Sequence, residues 1–253
     1  MAETIGHGRR AGALHPARAV QALLALGILW LAPVPAPAAA VSAEEVAARI
    51  EAAGDQPADL ANLDLTGLDL KGMQLKGADL RGSRLNRADL EGADLTGANL
   101  DLVILRDADL KGARLREVSA FQTVFSGADL TGADLGGANL VAKFERSDLK
   151  GANLAGANLA ADMTNQSMGL MRAHLTKANL KGANLAGAKL ARCTAEFADF
   201  SGADLKGADL SRCELAGANF AGADLSGADF SGADLQGAKW DGAIGRAQAI
   251  GLD

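Results

Sequence analysis

Carboxylates that recur at a regular spacing are the residues of this chain with the clearest capacity for chemistry. They are Asp69, Asp89, Asp109, Asp129 and Asp148. Stacked about 5 Å apart, they would resemble the acid pair of a retaining glycosidase or could bind Ca²⁺. Such pairs would recur along an open face that cannot enclose a sugar, and Lys71, Lys111 and Lys150 are placed to offset their repulsion. We therefore expect a solvated charged face with no catalytic residue, cofactor or metal ion, and Ca²⁺ binding is the less favoured alternative.

Other residues with catalytic potential are scarce. Beyond residue 40 the sequence has one histidine, His174, two cysteines and no tyrosine. Because general bases, nucleophile partners and metal ligands are nearly absent, the sequence predicts a protein that is not an enzyme. Cys193 and Cys213 are twenty residues apart, and stacked strands would keep their Cβ atoms near 4.8 Å, farther than a disulfide needs. We expect two buried thiols, although an oxidising compartment would favour a bridge.

A five-residue period organises the segments that would position these groups. From Leu60 to Leu140 every fifth residue is leucine except Ala120 and Phe125, and the residue two positions earlier is usually alanine. These two positions predict the inward residues of a short strand, with Asp or Asn pointing outward between them and a corner at the following glycine. A helix is excluded, because a five-residue step advances about 500° and would spread leucine around the whole helix.

The repeat resembles that of the pentapeptide-repeat proteins, A-(D/N)-L-x-x. Matches such as ADLEG, ADLTG and ANLDL recur through residues 58–241. The resemblance implies an all-β fold, a right-handed quadrilateral β-helix with four pentapeptides in each coil. At twenty residues per coil we expect about nine coils. A single coil cannot offset its own conformational entropy, so stability depends on stacking and the two ends need caps.

Both caps are predicted outside the repeat. Residues 41–57 are expected to hold a short capping helix over 43–53 and a linker, because Ser42 and Glu45 have the spacing of a capping box. This helix would close the first coil. Residues 242–253 depart from the five-residue period and are predicted to form a C-terminal cap or tail.

Residues 1–40 have the features of a signal peptide. Three arginines precede an apolar run over 19–32, and Ala38 and Ala40 stand at positions −3 and −1 of the expected cleavage site. The run is too short to span a bilayer, although an uncleaved anchor and a twin-arginine leader stay open. We expect the protein to be periplasmic or secreted, with no transmembrane span after the leader is cleaved.

The five-residue period is irregular within residues 141–170. The inward residue after Leu140 is Phe144, one position early, and an irregular segment after Leu159 restores the original phase. Folding the chain into coils of twenty residues predicts that the segment near Met163 lies next above Phe144.

Apolar residues outside the inward series coincide with this irregularity. Ile104 and Val124 replace the usual outward Asp or Asn on one face of successive coils. A contiguous apolar strip is typical of an interaction site, and methionines suit an adaptable surface. The candidate partner-binding residues are Leu102, Ile104, Phe121, Val124, Lys143, Met163, Met168 and Met171. Sequence drift, and a loop that covers its own apolar residues, stay open as alternatives.

The charge of the chain bears on its partners. Without residues 1–40, which hold three arginines and one glutamate, 22 basic and 30 acidic residues are left, so direct nucleic-acid binding is not expected. The first hypothesis is an exported, non-enzymatic, rigid structural or protein-binding module that contacts an unknown protein or envelope component through the irregular face. The alternative, suggested by the family resemblance alone, is an acidic mimic of DNA that acts on DNA gyrase or another DNA-binding protein. The oligomeric state stays open.

Overall fold

The structure, a computed structural model, describes residues 41–162 and 171–252. It begins with helix α1, Ala43–Ala53, as the capping residues predict. The side chain of Ser42 accepts a hydrogen bond from the backbone N–H of Glu45 at 3.2 Å, which is one half of the predicted capping box. The Glu45 carboxylate instead pairs with Arg49, at 2.7 Å. The buried side chain of Val46 attaches the helix to the core of the repeat.

From Asp59 to Ile250 the chain forms stacked coils that have four faces each. Every face contributes one bridged residue per coil, and nearly all of the bridges are parallel. The first set of bridges joins Asp59 to Asp79, Asp64 to Arg84, Asp69 to Asp89 and Gln74 to Asp94. Backbone hydrogen bonds follow the same step: Leu60 donates to the carbonyl of Asp79 at 2.8 Å, and Asp79 donates to that of Ala58 at 2.9 Å.

We number the faces 1 to 4 in chain order, starting from Asp59, Asp64, Asp69 and Gln74, and name each corner by the two faces that it joins. The outward residues of face 2 are Asp64, Arg84, Ile104, Val124, Lys143, His174, Thr194, Glu214 and Asp234. The outward residues of face 3 are Asp69, Asp89, Asp109, Asp129, Asp148, Asn179, Asp199, Asn219 and Lys239.

Leucine and alanine pack inside the coils, as the five-residue period predicts. The side chains of Leu110 and Ala108 are 0% and 1% exposed. Phenylalanine replaces leucine at a few inward positions, and the rings of Phe125 and Phe144 stack with their centroids 4.9 Å apart. The inward series therefore forms one continuous hydrophobic core along the repeat.

The C-terminal end keeps the ladder of bridges beyond residue 241. Ile244 and Ile250 still pair with the coil below, and the segment between them contains a short 3₁₀ helix, Arg246–Gln248. The guanidinium group of Arg246 lies 5.3 Å from the centre of the Trp240 ring, which stacks inside the last coil. Within the described ranges, no helix combines the length and the apolar character needed to cross a bilayer.

Two successive passages through corner 1–2 depart from the regular length. The first is one residue short, since it joins Asn139 on face 1 to Lys143 on face 2. The second joins Asn158 to His174 and is eleven residues longer than a regular corner. Corner 1–2 therefore contains both the shortening and the insertion.

The prediction that the segment near Met163 continues face 2 is wrong. His174 is the residue bridged to Lys143, and its carbonyl accepts the hydrogen bond of the Phe144 N–H at 2.7 Å. The described ends of the inserted segment pair with each other, because Asp162 and Met171 form an antiparallel bridge, and Met163 lies outside the described residues. The ladder of face 2 thus passes from Lys143 directly to His174.

Candidate functional site

The outward Asp and Asn residues have a structural role that the sequence analysis missed. Their side-chain oxygen accepts a hydrogen bond from the backbone N–H two residues later, at the start of the next corner. Asp109 accepts from Lys111 at 3.1 Å, and Asp199 accepts from Ser201 at 2.9 Å. This local bond is the preferred turn interaction of Asp and Asn, so the residue types alone were a usable signal.

Face 3 shows the regular arrangement, and its carboxylates form the row that the sequence predicts. Lys111 lies between two of them, with its Nζ 2.7 Å from Asp109 and 3.1 Å from Asp129. Lys71 pairs in the same way with Asp89 and with Glu91. Partial burial acts to raise the pKa of Asp129, but hydrogen bonds from Thr131 and Lys111 outweigh it and lower that pKa.

Metal binding finds no support on this row. Across the described ranges, no three His, Cys, Asp or Glu side chains converge as a metal site would require. The carboxylates of Asp109 and Asp129 instead bind corner N–H groups and Lys111.

Face 2 departs from the regular arrangement over seven successive coils. From Arg84 to Glu214 none of its outward residues is Asp or Asn, whereas face 3 keeps Asp or Asn in all coils except the last. Over these seven coils, face 2 therefore lacks the hydrogen bond that the outward Asp or Asn of the repeat accepts from the corner N–H. Its outward side chains are thus not committed to the corner N–H, although Glu214 pairs with Arg172 and Thr194 contacts His174.

The two corners that border face 2 are irregular as well. Ten of the eleven described non-glycine residues with positive φ lie there. On corner 1–2 they are Asn62, Leu102, Gln122, Arg192 and Arg212, and on corner 2–3 they are Arg87, Asp107, Arg146, Lys177 and Phe197. On corner 3–4 the same position is always glycine. A left-handed conformation costs a non-glycine residue about 1–2 kcal/mol, so the side chains that border face 2 are kept at a cost in stability.

The predicted partner-binding residues are distributed over face 2 and corner 1–2. Ile104, Val124 and Lys143 are stacked directly on face 2 of three successive coils. Leu102, which is 60% exposed, lies on corner 1–2, as does the partly exposed Phe121.

Met171 joins the same region, whereas Met163 and Met168 lie outside the described residues. The amide of Gln122 donates to the sulfur of Met171 at 3.1 Å, so the end of the insertion is fixed against corner 1–2. A cleft of about 410 Å³ lies beside this contact, and Phe121 and Val141 are among its lining residues.

Corner 2–3 and the adjoining edge of face 2 carry a group of cations, of which the sequence analysis found only Lys143. A cleft of about 550 Å³ and one of about 400 Å³ lie along it and share Arg106 and Asp107. The cations that line the two clefts are Arg84, Arg87, Arg106, Lys143, Arg146 and Lys177. Five of the six, all except Arg106, stand where the repeat normally has Asp or Gly, which was the available signal, but the six cations come from four different coils.

The interior of face 2 contains the two cysteines. Both are buried, their Sγ atoms are 2.8 Å apart, and Cys213 also donates to the carbonyl of Leu190. The hydrogen bond to Cys213 and burial raise the pKa of Cys193. The sulfurs are closer than the Cβ separation suggests, because the two side chains turn toward each other. Their reduced state stays a prediction.

The stacked coils, with one inward pair of residues on each face, define a repeat protein of the β-solenoid class. A family model described as pentapeptide repeats matches the chain in 8 copies, over residues 58–82, 83–119, 122–141, 170–207 and 203–242. The chain belongs to the pentapeptide-repeat family, which implies a right-handed β-helix solenoid with one short helix. No curated protein matches it in sequence.

Solved structures of the same family resemble the chain. HetL, a pentapeptide repeat protein involved in heterocyst differentiation regulation from the cyanobacterium Nostoc sp. strain PCC 7120, is 28% identical over 83% of this chain and 94% of its own, with a TM-score of 0.40. QnrB1, a plasmid-mediated fluoroquinolone resistance protein, is 24% identical over 70% and 91%, with a TM-score of 0.36. A pentapeptide repeat protein from the Arabidopsis thaliana thylakoid lumen is 26% identical over 66% and 68%, with a TM-score of 0.19.

Proposed function

We propose that the chain is an exported, non-enzymatic module that binds a protein or another envelope component through face 2 and corner 1–2. The observation that carries the proposal is the contrast between an unbroken ladder and an altered surface. Face 2 keeps its parallel bridges in every described coil while its outward residues and both of its corners leave the repeat pattern. Residues held in strained conformations are concentrated at functional sites in proteins.

The absence of catalysis is supported by the surroundings of the most reactive side chains. His174 is partly buried, and its Nδ1 lies 3.1 Å from the hydroxyl of Thr194. Burial is the largest effect on this histidine and lowers its pKa. The two thiols lie in the core, where no substrate can reach them. Pentapeptide-repeat proteins are, in general, structural or binding modules.

Export rests on the leader-like residues 1–40, which lie outside the described residues. The test is N-terminal sequencing of the protein recovered from periplasmic and culture-medium fractions. We expect the mature chain to begin near Val41. Recovery of the protein only from the cytoplasm, with residues 1–40 intact, would contradict export.

The partner surface is tested by replacing Ile104 and Val124 together with Asp, the residue that the repeat normally has there. Immobilised wild-type and variant proteins are incubated with envelope extract, and the retained proteins are identified by mass spectrometry. We expect a partner retained by the wild type and lost by the double variant, because apolar contacts at an interface centre contribute about 1 kcal/mol or more each.

The matched control replaces Ile244 and Ile250 with Asp. These two residues are also apolar and outward, but they lie in the last coil and on other faces. The control should retain the partner, and melting curves should show that both double variants fold. Equal retention by the face 2 variant and the wild type would contradict the proposal.

A mimic of DNA that acts on DNA gyrase is the alternative function, and it would use the acidic face 3. Lys111 lies between two carboxylates of that face, and Lys71 pairs with Asp89 and with Glu91 of corner 3–4, which reduces its negative charge. Inhibition of DNA supercoiling by the purified chain, together with a cytoplasmic location, would favour this alternative over the binding module.

A further inference from the structure

The two clefts on corner 2–3 form one continuous groove beside face 2. The larger runs from Arg106 to Lys177 and the smaller from Thr66 to Asp107. The groove therefore crosses the six coils that carry Asp64, Arg84, Ile104, Val124, Lys143 and His174. At about 4.8 Å per coil, these six coils span about 24 Å, the length of about seven residues of extended polypeptide.

The charge of this groove is opposite to that of the chain. Six cations and two carboxylates, Asp107 and Glu145, line it, which gives a local net charge of +4 in a chain whose formal net charge is −6. Glu145 is already bound, since it accepts a hydrogen bond from the hydroxyl of Ser126 at 2.7 Å. The groove is thus a basic strip on an acidic protein.

The groove cations lack the internal partners that some lysines elsewhere in the repeat have. Lys111 and Lys206 each lie between carboxylates of two successive coils. Within the part of the chain that the structure describes, none of the six groove cations forms a salt bridge. Cations elsewhere in the repeat can thus pair with its own carboxylates, whereas the cations along this groove do not.

Face 2 is apolar at its centre where it borders the groove: Ile104 lines the smaller cleft, and Val124 is its neighbour in the next coil. Ile104 and Val124 are partly exposed and lie between Arg84 below and Lys143 above. Their backbone groups are already engaged in the ladder, since the N–H of Ile104 donates to Ser83 and that of Val124 donates to Val103. A ligand would therefore be recognised by side chains, with charged contacts on one edge and apolar contacts in the middle.

We propose that this groove binds an extended acidic segment of a protein partner in which carboxylates alternate with apolar residues. The inference rests on the proposed function and adds the chemical class of the partner. Arginine suits this role because its guanidinium group binds carboxylates in a bidentate geometry. Alternate side chains of an extended segment point in opposite directions, so carboxylates can reach the arginines while apolar residues cover Ile104 and Val124.

A polypeptide fits the groove better than a nucleic acid or an anionic membrane. The outer surface of a nucleic acid duplex presents phosphates, with no apolar side chains spaced to contact Ile104 and Val124. Both a duplex and a membrane are also extended anionic surfaces, and the acidic residues of face 3 would be repelled by them. A short segment confined to the groove avoids that repulsion.

The experiment measures fluorescence anisotropy of a labelled peptide of about eight residues that alternates glutamate with valine, titrated with the protein in about 50 mM salt. Two control peptides replace every glutamate with glutamine or every valine with serine. We expect saturable binding of the first peptide, and binding at least about tenfold weaker for each control. Binding should also weaken as salt is added.

The groove variant replaces Arg106 and Arg146 with Glu, and the matched control replaces Lys150 and Lys181 with Glu. The control makes the same change in net charge at exposed lysines on corner 3–4. We expect the groove variant to lose at least about tenfold in affinity for the glutamate–valine peptide and the control to lose little. If the groove variant fails to fold, replacement of the same arginines with Gln gives the same comparison.

Equal binding by the groove variant and the control, or no saturable binding of the peptide, would overturn the inference. Tighter binding of a DNA duplex or of phosphatidylglycerol vesicles than of the peptide would also overturn it. These results leave the proposed function standing if the Ile104 and Val124 variant still loses its envelope partner. Peptide binding together with partner retention by that variant would instead overturn the proposed function and keep the inference.

Discussion

Face 3 and face 2 are built on the same parallel ladder, yet only face 3 keeps the outward residue of the repeat. On face 3, Asp109 binds the corner N–H and shares Lys111 with Asp129. On face 2, Ile104 and Val124 occupy the equivalent positions, and cations without internal partners border them. The difference shows that the ladder and the core determine the fold, whereas the outward position can change without breaking the ladder.

The largest expected effect separates inward from outward positions. Replacing Leu110, which is buried behind face 3, with Asp should prevent folding or cost at least about 4 kcal/mol, because the new charge has no partner in the core. Replacing the exposed Leu102 on corner 1–2 with Asp should change stability by less than about 0.5 kcal/mol. Denaturant unfolding of both variants checks this pair. Similar stabilities for the two would mean that the inward assignment is wrong.

A smaller effect is expected from exchanging the outward residues of the two faces. Replacing Asp109 with Ala removes the bond to the corner N–H and the contact with Lys111, and should destabilise the protein by about 1 kcal/mol. Replacing Ile104 with Asp restores the acceptor of the repeat and should alter stability by less than about 0.5 kcal/mol. The free energies of unfolding of the Asp109 and Ile104 variants, measured against the wild type, check this prediction. A large loss for the Ile104 variant would show that this side chain has a packing role.

Stability should change in opposite directions when the residue with positive φ is replaced on corner 3–4 and on corner 1–2. Gly112 on corner 3–4 has a φ of 61° and open space around its Cα, so replacing it with Ala should cost about 1 kcal/mol through backbone strain alone. Replacing Leu102, with a φ of 62°, by Gly should raise stability by about 0.5 kcal/mol, since relief of strain exceeds the added entropy of the unfolded chain. Thermal melting measures both changes. If Leu102 contacts the partner, its Gly variant should also bind more weakly, and full binding would remove Leu102 from the surface.

The stability contributed by His174 on face 2 and by Asp224 on face 4 should be lost in different pH ranges. Burial lowers the pKa of His174 on face 2 below 6.5, so its contribution to stability is complete above pH 6.5 and is lost as the pH falls toward the folded value. Hydrogen bonds from Ser226 and Lys206 lower the pKa of Asp224 on face 4 to about 2, so its contribution is complete above pH 3.8 and is lost through pH 2. NMR titration of the wild type, with His174→Gln as the control, measures both groups. A His174 pKa above 6.5 would contradict the structure.

The smallest effect concerns the thiols inside face 2, where we expect reduced but inaccessible sulfurs. Alkylation followed by intact-mass measurement should give no label on the native protein and two labels after unfolding, because Cys193 and Cys213 are buried. A mass lower by two hydrogens, with no labelling until a reductant is added, would show a disulfide. The short distance between the sulfurs means that little movement would be needed to form one.

The sequence predicts the parts of the fold that repeat. Leucine at every fifth position determined the core, the coils and the row of carboxylates on face 3, and Ser42 determined the start of α1. The prediction that the segment near Met163 continues face 2 was wrong, because the length of an irregular segment does not show whether it continues the ladder or leaves it. The bridge between Asp162 and Met171 supplies that information, and it depends on contacts that have no periodicity.

The groove on corner 2–3 escaped prediction for a related reason. Arg84, Arg106 and Lys177 belong to different coils, and each is an isolated exception when the chain is followed residue by residue. They form a cluster only in the folded chain, where coils of twenty, nineteen and thirty-one residues stack on one another. The apolar pair Ile104 and Val124 could be found because both lie in coils of regular length.

The insertion at corner 1–2 shows how such a protein can acquire new parts. Lys143 and His174 are 31 positions apart in sequence and yet are direct neighbours on the ladder, and the coils above and below keep their register. Each coil contacts only its neighbours, so added length at a corner is not transmitted along the molecule. The scaffold should therefore accept foreign peptide segments at the same corner, displayed at a fixed height and on a known side, without redesign of the remaining coils.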